Sequence, residues 1–152
     1  MTRGKIVIVA LTQPLIAEAS ILLASYLYGV EYSDEQQTEA QQILKRFLHY
    51  QIATPFLARY DETYVGFIVL DWGFSTSKGL PVLRVQALYT LPAYREIGVA
   101  STLLSHAISL AKGKGANRLQ LETDRENTPA KHLYAKFGFE LLPEKEVYML
   151  FL

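Results

Sequence analysis

The chain has 152 residues, half of them hydrophobic, which predicts one globular domain with a single sizeable core. Lysine plus arginine balance aspartate plus glutamate at 15 each and no basic run stands out, so the electrostatic footprint that nucleic-acid binding needs is missing. Cysteine is absent, which excludes disulfides, cysteine-ligated zinc and a cysteine nucleophile with its acyl-cysteine intermediate.

Arg3 and Lys5 precede an apolar run over residues 6–11, and Ala17-Glu18-Ala19 imitates a signal-peptidase site. The run is short and is closed by Thr12, Gln13 and Pro14, so residues 5–11 read instead as a buried first strand. No segment reaches the roughly 18 consecutive apolar residues of a membrane span. The expectation is a soluble, cytoplasmic protein with no membrane or nucleic-acid partner. Pro14 suits the first turn of a helix running to about Tyr28, with Leu15, Ala19, Leu22, Leu23 and Tyr26 available to pack and Gly29 as its breaker. Ser33 with Gln36 three residues on is a capping-box pattern for a second helix, whose Ala40, Ile43, Leu44, Phe47 and Ile52 form one face.

Residues 54–60 and 64–71 read as a hairpin about Asp61-Glu62, and residues 72–79 as a loop. A strand over 80–91, a long helix over about 96–112 and a strand over 118–123 make a βαβ unit whose strands should be parallel. Thr128 is placed to cap a last helix with Pro129 at its first position and Gly138 as its stop. Residues 139–142 and 147–151 then form a final hairpin about Pro143-Glu144-Lys145. The order β-α-α-β-β-β-α-β-α-β, with no repeat or linker, predicts a single α/β domain over residues 1–152, built on a central mixed sheet flanked by helices.

Within the βαβ unit, Arg95, Gly98 and Ala100 form an Arg-x-x-Gly-x-Ala turn from strand to helix. The first amides of a helix have no internal partners and carry the positive end of its dipole, so they can hold a phosphate or pyrophosphate. Gly98 lets a ligand approach the backbone, and Ala100 is small enough to do nearly the same. A second block follows, with Asn127, Ala130, Tyr134, Gly138 and Phe139 spaced as Asn-x-x-Ala-x-x-x-Tyr-x-x-x-Gly-Phe.

Together with Leu88-Tyr89-Thr90-Leu91-Pro92-Ala93-Tyr94-Arg95-Glu96-Ile97-Gly98-Val99-Ala100, this block resembles the two signature segments of the GNAT family of N-acetyltransferases. The resemblance spans roughly residues 64–150. It implies a GNAT-like fold in which two central parallel strands, here 83–91 and 118–123, splay apart and admit acetyl-CoA as co-substrate. It further implies direct acetyl transfer to a primary amine of a small molecule or protein. Backbone groups of Leu88, Tyr89 and Thr90 match the strand that pairs with the pantetheine arm, and a bulge would re-aim them. Amides of Glu96, Ile97, Gly98, Val99 and Ala100 match the pyrophosphate cradle. Arg95 adds charge near it, or is a solvated surface arginine, and Asn127 contacts the CoA arm.

A primary amine with pKa ~10 is almost all ammonium at neutral pH, and the departing thiol has a pKa of roughly 8.5, so both ends need proton management. Tyr134 matches the family tyrosine that serves as general acid at the CoA sulfur; packing beside Leu133 and Phe137 is its plain structural alternative. Relatives with this wording often read Leu-Glu-Asp-Leu-Tyr-Val where this chain has Val85-Gln86-Ala87-Leu88-Tyr89-Thr90, so both acids are gone. Gln86 can orient a substrate and cannot accept its proton. Glu122, on the neighbouring strand, and a water chain are the candidate bases.

The acceptor site is expected between the first two helices and the 72–79 loop. Glu31, Tyr32, Asp34 and Glu35 are candidates to attract a cationic amine, or serve as partners of the helix dipole. Trp72 and Phe74 either wall that pocket or cover the sheet. Lys112-Gly113-Lys114-Gly115 lacks the order of a phosphate loop and reads as a helix stop. His49, His106 and His132 are isolated, so no metal is expected. The alternative to an enzyme is a non-catalytic acyl-CoA-binding sensor or interaction module on the same fold. A homodimer is a family-level expectation.

Overall fold

The protein is described by a computed structural model covering residues 4–152. Arg3, invoked above at the head of the first apolar run, lies outside the described residues. The chain groups into two compact units, one running through Glu122 and the other Thr123–Leu152.

The first unit is built on a five-stranded mixed sheet in the order β1-β2-β3-β4-β5. The strands are β1 (Ile6–Ala10), β2 (Ala53–Tyr60), β3 (Thr63–Ser75), β4 (Leu80–Thr90) and β5 (Arg118–Leu121), of which only β4 and β5 pair in parallel. A 3-10 turn at Gln13–Leu15, with Pro14 inside it, leads into α1 (Ile16–Tyr28). Ser33 and Gln36 form the reciprocal capping box that starts α2 (Asp34–Tyr50), with Gln36 N donating to Ser33 Oγ at 3.1 Å and Ser33 N to Gln36 Oε1 at 2.9 Å. A substituted cap of this kind typically costs about 1 kcal/mol.

α1 and α2 cover one sheet face, where Ala19, Leu22, Leu23, Ala40 and Leu44 close over Leu57, Phe67 and Val69. α3 (Val99–Gly113) covers the other and buries Val99, Leu103, Leu104 and Ala107. Strand alternation supplies both faces from β3, since Phe67 meets Tyr26 of α1 with ring centroids 5.5 Å apart while Gly66 faces Val99 and Leu103 of α3. A Cβ at Gly66 would stand 2.7 Å from the Tyr89 carbonyl oxygen and 2.9 Å from Val99 Cγ1, so the absent side chain lets α3 settle onto the sheet. In the second unit α4 (Thr128–Lys136) is followed by Gly138 at φ +90°.

Several expectations are corrected. Residues 72–74 are not a loop, because they pair with Leu83, Val82 and Pro81; the connection shrinks to residues 76–79, turned by Gly79 at φ +68°. Ile52 leaves the α2 face because Gln51 enters the left-handed region at φ 57°, ending the helix and leaving Ile52 exposed. The N-cap of α4 is Asn127, whose Oδ1 accepts from Ala130 N at 3.3 Å; Thr128 is already helical and Pro129 takes the second position. The final hairpin is represented by its turn alone, with Lys145 N donating to Leu142 O at 3.2 Å. Among the described residues no strand follows β5, and an isolated two-stranded ribbon has little stability of its own.

His106 of α3 packs against Phe56 with ring centroids 4.6 Å apart, and its Nε2 is buried without a hydrogen-bond partner. Burial holds its pKa below the ordinary 6.5, because the charged form is desolvated. The unfolded chain therefore takes up this proton first as pH falls, so the stabilisation is complete above 6.5 and is lost progressively below it. Thermal melts from pH 7.5 down to 5 should show wild type losing more stability than His106→Leu. A second expectation concerns Gly66→Ala, which should lower stability in urea denaturation by about 1–3 kcal/mol, the usual cost of overpacking.

Candidate functional site

β4 changes character at Gln86. Against β3, Val69 pairs with Ala87 and Leu70 with Val85, so Gln86 is the extra residue of a β-bulge. Against β5, pairing runs from Val82 with Arg118 to Val85 with Leu121 and stops there. Residues 86–90 thus continue along β3 while their other edge has parted from β5. The two parallel strands splay, as the resemblance implied. Beyond the bulge Tyr89 returns to the α1 face, where its ring lies 5.9 Å from Phe67 and 5.6 Å from Tyr26 and its hydroxyl is 2.5 Å from Ser25 Oγ.

The strand then enters a turn of unusual backbone. A 3-10 turn at Pro92–Tyr94 is followed by Glu96 at φ +66° and Gly98 at φ +95°. A left-handed conformation costs a residue other than glycine about 1–2 kcal/mol, so the turn stores strain at Glu96. Gly98 caps α3 without a side-chain hydrogen bond and no acidic residue sits in the first turn, so neither device neutralises the helix start. The first bond of the ladder is Thr102 N to Gly98 O at 3.0 Å, which leaves the amides of Val99, Ala100 and Ser101 ahead of it. Open space lies where a Cβ at Gly98 would project. Arg95 folds back on the strand, donating from Nε to Thr90 O at 3.0 Å, with its guanidinium carbon 5.7 Å from the Tyr89 ring centroid.

Gln86 is engaged as well. Its amide nitrogen donates to Asp71 Oδ2 on β3, and the same oxygen accepts from Arg84 Nε at 3.4 Å. Asp71, Gly73, Phe74, Val82, Arg84, Arg118 and Gln120 line an open pocket of about 300 Å³ on the α1–α2 face of the sheet. Phe74 borders it and Trp72 does not. Glu122 follows Gln120 by two residues, just past the end of β5, and is exposed. Glu31 is exposed in the turn between α1 and α2, whereas Tyr32 packs on the core beneath. Asp34 and Glu35 occupy the first turn of α2, where they meet the helix dipole.

In the second unit Tyr134 sits on α4 with its ring 5.7 Å from Phe139, and Asn127 is committed to capping that helix. The first unit therefore brings Gln86, Leu88, Tyr89 and Thr90 together with residues 95–100 along one strand, turn and helix start. Glu31 and Tyr32 lie on the α1–α2 turn, and Tyr32 packs on the same core cluster as Tyr89. Sequence reasoning missed Asp71, although a lone carboxylate in the apolar run Phe67-Ile68-Val69-Leu70-Asp71-Trp72 was a readable signal. It also missed Gly66 and Ser25, whose roles depend on partners remote in sequence. Among the described residues no group of three or more His, Cys, Asp or Glu could hold a metal ion, and no helix is long and apolar enough to cross a membrane.

Known proteins resemble this chain in sequence and fold. The chain is 36% identical over 92 residues to an N-alpha-acetyltransferase of Sulfurisphaera tokodaii, covering 56% of this chain and about half (55%) of that protein. It is 32% identical over 108 residues to the uncharacterized N-acetyltransferase YhfO of Bacillus subtilis, covering 71% of each. A crystal structure of a probable acetyltransferase superposes with a TM-score of 0.81 at 25% identity, over 96% of this chain and 97% of the other. The aminoglycoside N-acetyltransferase AAC(6')-Iy, solved in complex with CoA, shares the fold with a TM-score of 0.74 at 20% identity, over 98% and 97% of the two chains. Residues 21–139, which carry the bulged strand, the left-handed turn and the uncapped helix, match the family described as Acetyltransferase (GNAT), and the chain belongs to that family.

Proposed function

We propose that the chain is an acetyl-CoA-dependent N-acetyltransferase that acetylates a primary amine directly, without a covalent enzyme intermediate. The observation that carries this reading is the splay of β4 from β5 beyond Val85, leading into a helix whose first amides are left open. The residues fit an extended anionic ligand. The unpaired edge of Leu88, Tyr89 and Thr90 suits an amide-bearing arm such as pantetheine. The turn from Glu96 to Ala100 suits its pyrophosphate, with Gly98 keeping the approach clear. Acetyl-CoA supplies the activated acetyl group as a thioester.

The chain's own residues manage position and protons. Arg95 braces the turn against Thr90 and Tyr89, and its charge raises the potential near the helix start. Glu122 accepts, directly or through water, the proton that the ammonium must lose before its nitrogen bonds the acetyl carbon. Tyr134 donates its proton to the sulfur as the carbon–sulfur bond breaks, and the second proton, which the acylated nitrogen sheds as the amide forms, returns to Tyr134 directly or through solvent. Asn127 orders the start of the helix that carries Tyr134. Glu31 and Tyr32 bound the acceptor's entry, and Gln86 orients it. The working form is read as a cytoplasmic homodimer, with β1 as one sheet edge open to a second copy.

The missing β4 carboxylates favour one other reading, a module that binds acyl-CoA without turning it over. Thiol release from acetyl-CoA across amino acids, polyamines, aminoglycosides and peptides, run beside calorimetric titration with CoA, separates the two. Turnover establishes the enzyme, CoA binding with no turnover favours the module, and absence of CoA binding refutes both. Tyr134→Phe and Glu122→Gln should each lower kcat by about 10²-fold or more while CoA affinity changes little. Gly98→Val should act differently, raising the KM for acetyl-CoA about tenfold or more through strain at φ +95° and a blocked helix start.

A further inference from the structure

The pocket on the α1–α2 sheet face holds two arginines and one carboxylate. Arg84 and Arg118 stand on adjacent parallel strands two positions apart, because Val82 pairs with Arg118 and Arg84 with Gln120. Diagonal neighbours of this kind have backbones on the order of 8 Å apart, within reach of side chains as long as arginine. Asp71 is already committed to Arg84 and to Gln86. Among the described residues Arg118 bonds neutral oxygens, from Nε to Gln120 Oε1 at 3.2 Å and from Nη1 to Asn117 Oδ1 at 3.0 Å. These bonds orient its guanidinium without neutralising it.

Two guanidiniums against one carboxylate leave the pocket positive. Like charges on one sheet face repel, and an anion held between them relieves that repulsion. Space for it exists, since a Cβ at Gly73 would meet a single atom within reach, the Val82 carbonyl oxygen at 4.0 Å. Such a pocket is the wrong sign for a polyamine or an aminoglycoside, whose additional ammonium groups would approach arginine.

We propose that the acceptor is an amine that also carries a carboxylate, of the amino-acid class, and that Arg118, with Arg84 beside it, binds that carboxylate in this pocket. The proposal rests on the acetyltransferase reading, which supplies the need for an acceptor. It is tested with matched acceptors, amino acids and their carboxamides, assayed with acetyl-CoA in wild type, Arg118→Gln and a distant surface variant, Lys112→Gln. Wild type should favour the free carboxylate by about tenfold or more in kcat/KM, the scale of a charge-assisted contact. Arg118→Gln should bring that ratio close to one, and Lys112→Gln should keep it. A wild-type preference for carboxamides or polyamines overturns the proposal, as does an unchanged ratio in Arg118→Gln. If no acceptor is turned over, calorimetry with N-acetylated amino acids decides. Binding that requires both the free carboxylate and Arg118 upholds the pocket independently of catalysis, and binding indifferent to either, or none, overturns it.

Discussion

Everything in the first unit is arranged around one extra residue in β4. Strand alternation has a period of two, so inserting Gln86 opposite the Val69–Leu70 step shifts every later side chain of β4 to the other face. Before the bulge Leu83 and Val85 are buried toward α3; after it Ala87 and Tyr89 join the core under α1. With no bulge Tyr89 would point at α3, and its ring contacts with Tyr26 and Phe67 could not form. The same residue marks where β5 stops following β4. A bulge adds local twist, and two parallel strands that twist differently lose register and part.

The turn beyond the bulge needs rigid support because it is strained. Glu96 and Gly98 both hold left-handed backbone, and α3 begins without a capping side chain. That conformation persists because its surroundings over-determine it. Arg95 is anchored on the Thr90 carbonyl, Tyr89 beneath it is tied to Ser25, and Gly66 allows Val99 to seat against the sheet. Helix dipole, open amides and a braced backbone are what electrostatic preorganisation requires, since the donors are already aimed and need not reorganise when an anion arrives. The strain at Glu96 is offset by burial at Val99, Leu103 and Leu104, so the energy comes from the core and is applied at the turn.

Features governed by neighbours in sequence were legible. Ser33 with Gln36 and the hairpin about Asp61-Glu62 follow local rules, and the structure has them, whereas Pro14 lies in the short 3-10 turn that precedes α1 and not in its first turn. Strand length was less readable, because Trp72, Gly73 and Phe74 become strand only by pairing with residues 81–83. Asn127 and Thr128 are both good caps, and sequence alone gave no ground for preferring the former. A bulge that re-aims Leu88, Tyr89 and Thr90 was expected without a position, since hydrophobic alternation in Val85-Gln86-Ala87-Leu88 does not reveal that Gln86 is the extra residue. Asp71 escaped notice because its partners, Arg84 and Gln86, are 13 and 15 residues away and meet it only across the β3–β4 ladder.

That ladder alters what the missing β4 acids mean. Gln86 stands where relatives often carry a carboxylate, yet it bonds a carboxylate contributed by the next strand, so negative charge remains on this sheet face in a different residue. Asp71 is nevertheless poorly placed to take a proton from an amine. Its Oδ2 already accepts from both Arg84 and Gln86, and protonation would forfeit the ion pair. Glu122 has no ion pair among the described residues and lies where β5 ends, next to the gap that opens beyond Val85. A carboxylate that holds its neighbours in place and a carboxylate left free to exchange protons are different tools. On this sheet the first role falls to Asp71, and in the reading proposed here the second falls to Glu122.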